Sequence, residues 1–213
     1  MDPNNEERPP ADPAESLRLI REQQVFAARQ LNPDLRTFIW PWGVAWLVGF
    51  GLEFLRFGPD GRVFVPMPTW LPLAVLLILL AGAAVLTSVV SRRGYGQTAG
   101  DSARRAGWYG AAWGLGYATV AVTLSRVSND LPIEQANLLW AGVTTGVAGI
   151  LQMAGGAIWL ARNLFRLGIW ITVINIVGVL AGPGWHALIL GLLGGGGMLL
   201  ATAFVPSGRE APE

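Results

Sequence analysis

The sequence contains no cysteine and a single histidine, His186. The missing cysteines exclude disulfides, thiolate catalysis and Cys-based metal or iron–sulfur centres. One histidine excludes a His-rich metal site. The chain also has no P-loop, no H-E-x-x-H and no G-x-S-G nucleophile motif. We therefore expect no enzyme, no cofactor and no bound metal.

Charged residues are also scarce. They make up 14% of the 213 residues, against about 25% in a typical soluble domain. Hydrophobic residues reach 52% and form long runs between short charged segments. A soluble core of this size cannot bury so many long apolar runs, but a bilayer can. The sequence therefore predicts an integral membrane protein.

Six apolar segments predict an all-α, polytopic bundle of six transmembrane helices within residues 37–205. Each segment is close to the ~20 residues that a helix needs to cross ~30 Å of hydrocarbon. Gly182-Pro183-Gly184 predicts a tight turn between the last two segments. The predicted spans cover residues 37–57, 70–90, 108–125, 137–161, 165–181 and 185–205.

Arginine placement gives the expected orientation, because basic loops stay in the cytoplasm. All fifteen basic residues are arginine. With six spans, twelve of them fall on one side of the membrane and three, Arg56, Arg62 and Arg126, on the other. We expect a protein of the cell inner membrane with both termini in the cytoplasm.

The segments outside the spans differ from one another. Residues 1–14 are Pro-rich and charged, which predicts a disordered tail. Residues 15–32 predict an amphipathic helix, with Leu17, Ile20 and Leu31 on one face and Arg18 and Glu22 on the other. This helix lies on the membrane surface, binds a partner helix, or covers its own bundle. Residues 206–213 are expected to be a short cytoplasmic tail.

Two sequence patterns recur along the predicted spans and suggest tandem helical hairpins. Residues 43–51 and 110–118 share G-x-A-W-x-x-G-aromatic-small, with Trp46 and Trp113 in matching positions. Small-residue clusters recur near Gly82, Gly155 and Gly195 in the second, fourth and sixth spans. The alternative is that glycine- and alanine-rich membrane helices match by chance.

Small residues also let membrane helices approach closely. We expect this packing role for three G-x-x-x-G pairs. The alternative is that a glycine-rich face lines a narrow conduit, and the run of residues 194–197 is either a flexible point or a very close crossing. The pairs are Gly110 with Gly114, Gly142 with Gly146, and Gly191 with Gly195.

Polar residues inside the spans are functional candidates by default. Glu53 is read either as an interfacial pair with Arg56 or as a proton- or cation-coupling carboxylate. Amides such as Gln152 and Asn175 form interhelical hydrogen bonds or contact a substrate. Thr144 is a further candidate, unless its hydroxyl bonds to a carbonyl of its own helix. His186 is read either as a satisfied interfacial histidine or as a pH sensor.

The stretch W-G-V-A-W-L-V-G-F-G, residues 42–51, resembles small actinobacterial integral membrane proteins that are loosely described as transporters. The resemblance covers about residues 15–55 and implies no substrate and no catalytic residues. In size and span count the chain is also similar to the substrate-binding subunits of energy-coupling-factor vitamin transporters, at the level of fold class.

These observations lead to two functional hypotheses. The first is a small-molecule or ion transporter or permease subunit. The alternative is a non-transporting membrane partner, sensor or assembly protein that acts through its N-terminal helix. The expected partner is the lipid bilayer. A membrane protein, a cytosolic protein or a second copy of the chain are further alternatives. Nucleic acid is not expected.

Overall fold

The computed structural model describes residues 16–19, 35–95 and 101–204, and all regular structure in these ranges is helical. The all-α bundle is thereby confirmed. α6 spans residues 185–204 in three parts: Trp185–Ile189, a π-helical segment Leu190–Gly196, and Gly197–Phe204. The other long helices are α1 (Leu35–Arg56), α2 (Leu71–Tyr95), α3 (Asp101–Val127), α4 (Ile133–Ile158) and α5 (Arg162–Ala181).

Some of the predicted terminal segments lie outside the described residues. This applies to the tails 1–14 and 206–213 and to most of the predicted helix 15–32. Residues 16–19 of that helix are described, and they are helical. Whether the amphipathic helix extends to residue 32 stays a prediction.

Five described helices are long and apolar enough to cross a membrane, so the protein is a membrane-embedded bundle. The expected count of six is therefore approximate. α3 has sufficient length, 27 residues, but its central part contains three glycines and several aromatic residues, which make it less apolar than the others. The five spans are Phe38–Arg56, Leu71–Val90, Ile133–Ile158, Arg162–Ala181 and Trp185–Ala203.

The helices are ordered so that α1, α4, α5 and α6 form the centre of the bundle. α1 packs between α2 and α6, while α5 packs against both α6 and α4. α2 and α3 flank this centre, and α3 has far less contact with α4 than α5 has. Many large apolar side chains of α2 and α3 are exposed, as expected for surfaces that face lipid.

The buried core lies where α1, α5 and α6 meet. Its largest members are Trp46, Phe50, Ile171, Ile174 and Leu190. The rings of Trp46 and Phe50 are one helical turn apart and pack edge to face, with centroids 5.5 Å apart. This cluster fills the middle of the bundle with apolar side chains.

Glycine makes the crossing of α1 and α6 very close. A Cβ on Gly195 would lie 2.7 Å from the Cα of Leu47, and a Cβ on Gly194 would lie 2.6 Å from the Trp46 ring. A side chain at either position would force the helices apart. The glycine run 194–197 therefore makes a close crossing, and part of it adopts a π-helix.

The other glycines predicted to pack helices fall into two groups. Gly142 lies against Val179 of α5, and Gly191 lies beside Phe50 of α1. Gly146 faces the Asn175 amide. By contrast, a Cβ on Gly110 or Gly114 would meet nothing within 4 Å in the described part of the chain.

The two copies of the tryptophan motif occupy different surroundings. Trp46 is buried in the core. Trp113 of α3 is half-buried and stacks on Tyr117, with centroids 5.8 Å apart. Gly49 of the first motif packs against Leu76, whereas Gly116 of the second has open space. The tandem duplication stays a prediction.

We expect Gly195→Ala to destabilise the bundle and Gly82→Ala to leave it unchanged or slightly more stable. An added methyl at residue 195 meets the α1 backbone, and overpacking of this kind costs about 1–3 kcal/mol. Residue 82 has open space on α2, where alanine gains helix propensity of up to ~1 kcal/mol. Thermal unfolding of both variants in one detergent measures the difference. Equal melting temperatures would contradict the close crossing.

Candidate functional site

Charged side chains divide the bundle into two ends. All four acidic side chains that the structure describes lie at one end, which we call the carboxylate end: Glu53, Asp60, Asp130 and Glu134. This end also carries Arg56, Arg62 and Arg126. The opposite end, which we call the arginine end, carries Arg104, Arg105, Arg162 and Arg166.

A small cavity lies at the carboxylate end, between α1, α4 and α6. Phe50 and Glu53 line it from α1, Glu134 and Asn137 from α4, and His186 from α6. Its volume is about 20 Å³, which holds about one water molecule. The sequence candidates Glu53 and His186 thus meet in one place, although they are far apart in the chain.

Glu53 is held in this cavity by a hydrogen bond across helices. The Asn137 side-chain amide donates to Glu53 Oε1 over 2.6 Å. Glu53 itself is half-buried. Its neighbour Arg56, one turn further on, donates from Nε to the backbone oxygen of Met67 over 2.8 Å. Arg56 thereby ties the end of α1 to the following loop, while the Glu53 carboxylate turns toward α4.

His186 enters the cavity from α6 and is 2% exposed. Its Nε2 lies 2.9 Å from Oδ1 of Asn175 on α5. The Asn175 Nδ2 donates to the backbone oxygen of Gly142 on α4 over 2.9 Å, which fixes the orientation of the amide. Since Oδ1 can only accept, Nε2 of His186 carries the proton. This chain of hydrogen bonds joins α6, α5 and α4.

The remaining ring nitrogen of neutral His186 is therefore a hydrogen-bond acceptor. The Cδ2 atom of the ring faces α5, because a Cβ on Gly178 would lie 2.7 Å from it. The opposite edge of the ring, which contains Nδ1, points away from α5. No described residue hydrogen-bonds to this nitrogen, so its lone pair is free to accept a bond from an occupant of the cavity.

The lining of the cavity is mostly apolar, and its polar groups come from four side chains: Glu53, Glu134, Asn137 and His186. Apart from the Asn137 amide, these groups offer hydrogen-bond acceptors: the second oxygen of Glu53, the carboxylate of Glu134 and Nδ1 of His186. Among the described residues, no arginine lines the cavity. The cavity therefore favours an occupant that donates hydrogen bonds or carries positive charge.

The loop between α1 and α2 covers the outer side of this site. It contains a short 3-10 turn, Pro59–Gly61. A Cβ on Gly61 would lie 3.2 Å from Glu134 Oε1, and one on Gly184 would lie 2.6 Å from the carbonyl carbon of Gly58. Both glycines have positive φ, 73° and 78°. The loop thus packs directly against the turn that precedes α6.

The inner side of the cavity is apolar. Phe50 lines the cavity and also belongs to the core, where it contacts Trp46 and Leu190. These side chains separate the polar cavity from the arginine end. All described side chains of the core cluster are apolar, so in this conformation no polar path leads from the cavity through the core.

The other sequence candidates lie away from the cavity. Thr144 donates from its hydroxyl to the Trp140 backbone oxygen over 2.7 Å, within its own helix. Gln152 is half-buried nearer the arginine end of α4 and forms no hydrogen bond with another described residue. Asn175 does not line the cavity but supports His186.

Sequence reasoning did not identify Glu134 and Asn137 as site residues. Both lie among the first five residues of α4, near the expected membrane boundary, where polar residues are common. Their spacing of three residues places them on one face of a helix, and this was the available signal. What the sequence lacks is the information that this face turns toward Glu53.

No family model, curated protein or solved structure matches this chain. The likeness of residues 15–55 to small actinobacterial membrane proteins therefore stays a prediction.

We expect Asn175→Ala to destabilise the protein by about 1–2 kcal/mol, because it leaves His186 Nε2 without a partner and removes the interhelical bond to the Gly142 oxygen. Gln152→Ala serves as the control, since it removes an amide without breaking a described hydrogen bond. Equilibrium unfolding in detergent measures both free energies. A loss of equal size in both variants would show that the hydrogen-bond chain does not hold the three helices together.

Proposed function

We propose that this protein is an ion-coupled transporter or permease subunit of the cell membrane, in which Glu53 binds the coupling proton. The observation that carries this proposal is the position of Glu53. Its carboxylate is half-buried in a mostly apolar cavity, where it accepts one bond from Asn137 and meets the Glu134 carboxylate and the His186 ring.

The size of the cavity favours a proton over a larger ion or an organic molecule. A volume of about 20 Å³ accepts about one water molecule. Among the described residues, no group of three or more His, Cys, Asp or Glu is placed to hold a metal ion. A water molecule fits this volume, and as hydronium it can pass a proton to Glu53 and remain as neutral water.

The electrostatics of a membrane span support the same proposal. A charged residue at a span centre costs about 2.5–3.5 kcal/mol, and the cost is lower near the ends. Protonation therefore stabilises a carboxylate in a confined site. Among the described residues that line the cavity with Glu53, none is an arginine. Intramembrane carboxylates in proton relays share this arrangement.

Coupling requires that the cavity opens to one side at a time. In the described conformation the apolar side chains of Trp46, Phe50 and Leu190 close it toward the arginine end. The arginine distribution supports a cytoplasmic location for that end. We infer that this is the state closed to the cytoplasm, and that transport moves α6 along its glycine-lined contact with α1.

We expect Glu53→Gln to reduce proton flux in proteoliposomes to the leak of protein-free liposomes. The amide keeps a hydrogen bond to Asn137 but cannot take up a proton. The measurement is the response of an enclosed pH-sensitive dye to an imposed pH gradient with a membrane potential, with radioactive Na⁺ uptake recorded in parallel.

The matched control is Asp130→Asn, which neutralises an exposed carboxylate at the same end but outside the cavity. Its flux should equal that of the unchanged protein. If Glu53→Gln conducts protons like the unchanged protein, Glu53 is not the coupling group. If uptake of Na⁺ rather than H⁺ depends on Glu53, the proposed ion is wrong.

The alternative function is a non-transporting membrane partner, and the open face of α3 favours it. A Cβ on Gly107, Gly110 or Gly114 would meet no atom of the described residues within 4 Å, and such faces bind other membrane helices. Two results together would favour this function. The unchanged protein would show no flux, and a membrane protein would copurify with it and with Gly82→Leu but not with Gly114→Leu.

A further inference from the structure

A groove at the arginine end of the bundle lies between the start of α3 and the end of α4. Its volume is about 510 Å³, within the range of ligand sites. Ala112 of α3 and Ala154 of α4 leave the space between the helices open, and Trp108 and Leu151 form its sides. The groove is distinct from the cavity at the opposite end.

One tyrosine holds the groove open. Tyr109 inserts between α3 and α4, where its hydroxyl donates to the Leu151 backbone oxygen over 2.6 Å. Gly155 makes room for it, since a Cβ there would lie 2.8 Å from the Tyr109 Cζ. The ring also packs edge to face on Trp159, with centroids 4.9 Å apart. The helices cannot close the groove without moving this ring.

The lining of the groove combines an apolar interior with one positive charge. Arg105 is the charged residue among the described lining residues. Arg162 and Arg166 lie at the same end, whereas all four described carboxylates lie at the opposite end. Arg105 therefore attracts an anion to the groove, and no described lining residue carries a negative charge.

The position of the groove indicates where its ligand comes from. Trp108 is 67% exposed, and indole side chains favour the level of the lipid head groups. From Trp108 the groove runs along the helices toward Ala112 and Leu151, which is the direction of the hydrocarbon. A ligand with an anionic head at Arg105 and an apolar chain beside the alanines matches both the charged end and the apolar interior of the groove.

We propose that this groove binds one anionic phospholipid, with its phosphate at Arg105 and an acyl chain between α3 and α4. Arginine suits a phosphate because its planar guanidinium donates two parallel hydrogen bonds. The lipid fills a gap that would otherwise separate two loosely packed helices. The site does not depend on the proposed transport function.

Native mass spectrometry of the full chain from detergent tests the proposal. The probes are phosphatidylglycerol and phosphatidylcholine with identical acyl chains, titrated separately. We expect the unchanged protein to retain one phosphatidylglycerol at concentrations where phosphatidylcholine is lost. Arg105→Gln should weaken phosphatidylglycerol binding by about 5-fold, the effect of one arginine at a membrane surface.

Two matched pairs of variants separate the groove from general effects. Arg126→Gln removes an arginine from the other end of α3 and should leave lipid retention unchanged. Ala112→Leu fills the groove and should reduce retention of both lipids, while Ala111→Leu, on the same helix outside the groove, should not. Equal retention of the two lipids by the unchanged protein would overturn the proposal, as would equal losses in Arg105→Gln and Arg126→Gln.

The absence of cysteine allows a direct test of other occupants. Ala112→Cys in native membranes should form no disulfide-linked dimer under mild oxidation, and the double variant with Leu17→Cys should form no internal disulfide. A dimer would show that a second copy occupies the groove. An internal disulfide would show that the N-terminal segment does. Either result overturns the lipid assignment.

Discussion

The close contact between α1 and α6 is the constraint on which the rest of the structure depends. Gly195 of α6 lies against the Leu47 backbone, and Gly194 lies against the Trp46 ring. Lipid tails are as apolar as leucine, so helices in a membrane gain little from burying apolar surface and associate through close packing instead. In the described conformation this contact sets the position of α6 along α1 and brings His186 to the level of Glu53.

The buried polar groups follow from the same environment. A membrane offers few hydrogen-bond partners, so polar side chains must find them within the protein. Asn175 finds both of its partners inside the bundle, since its side-chain amide forms hydrogen bonds with His186 and with the Gly142 backbone oxygen. This arrangement uses one ring nitrogen of His186 and leaves the other for the cavity. The residue that stabilises the bundle thus also determines which atom the cavity presents.

The two flanking helices differ in how they join the centre. α2 packs closely along α1, with Leu76 against Gly49. α3 is joined to α4 by tyrosine hydroxyls, since Tyr109 and Tyr117 donate to the backbone oxygens of Leu151 and Thr144. Bulky rings between two helices leave space beside them, whereas glycines remove it. This explains why the groove lies beside α3 and why the glycines of α3 are not packed against any described helix.

The sequence by itself determined the all-α bundle and the positions of most spans, and it named Glu53 and His186 as candidates whose function stays a prediction. Hydrophobic segment length and scarce charge are local properties, so they can be read along the chain. The six-span count is approximate because glycines and aromatic residues reduce the apolarity of α3. Only the tertiary structure decided that Glu134 and Asn137 join Glu53, that Thr144 and Gln152 do not, and that Gly195 packs while Gly114 stays open. Those outcomes depend on which face of each helix meets which neighbour, and residue spacing within one helix does not contain that information.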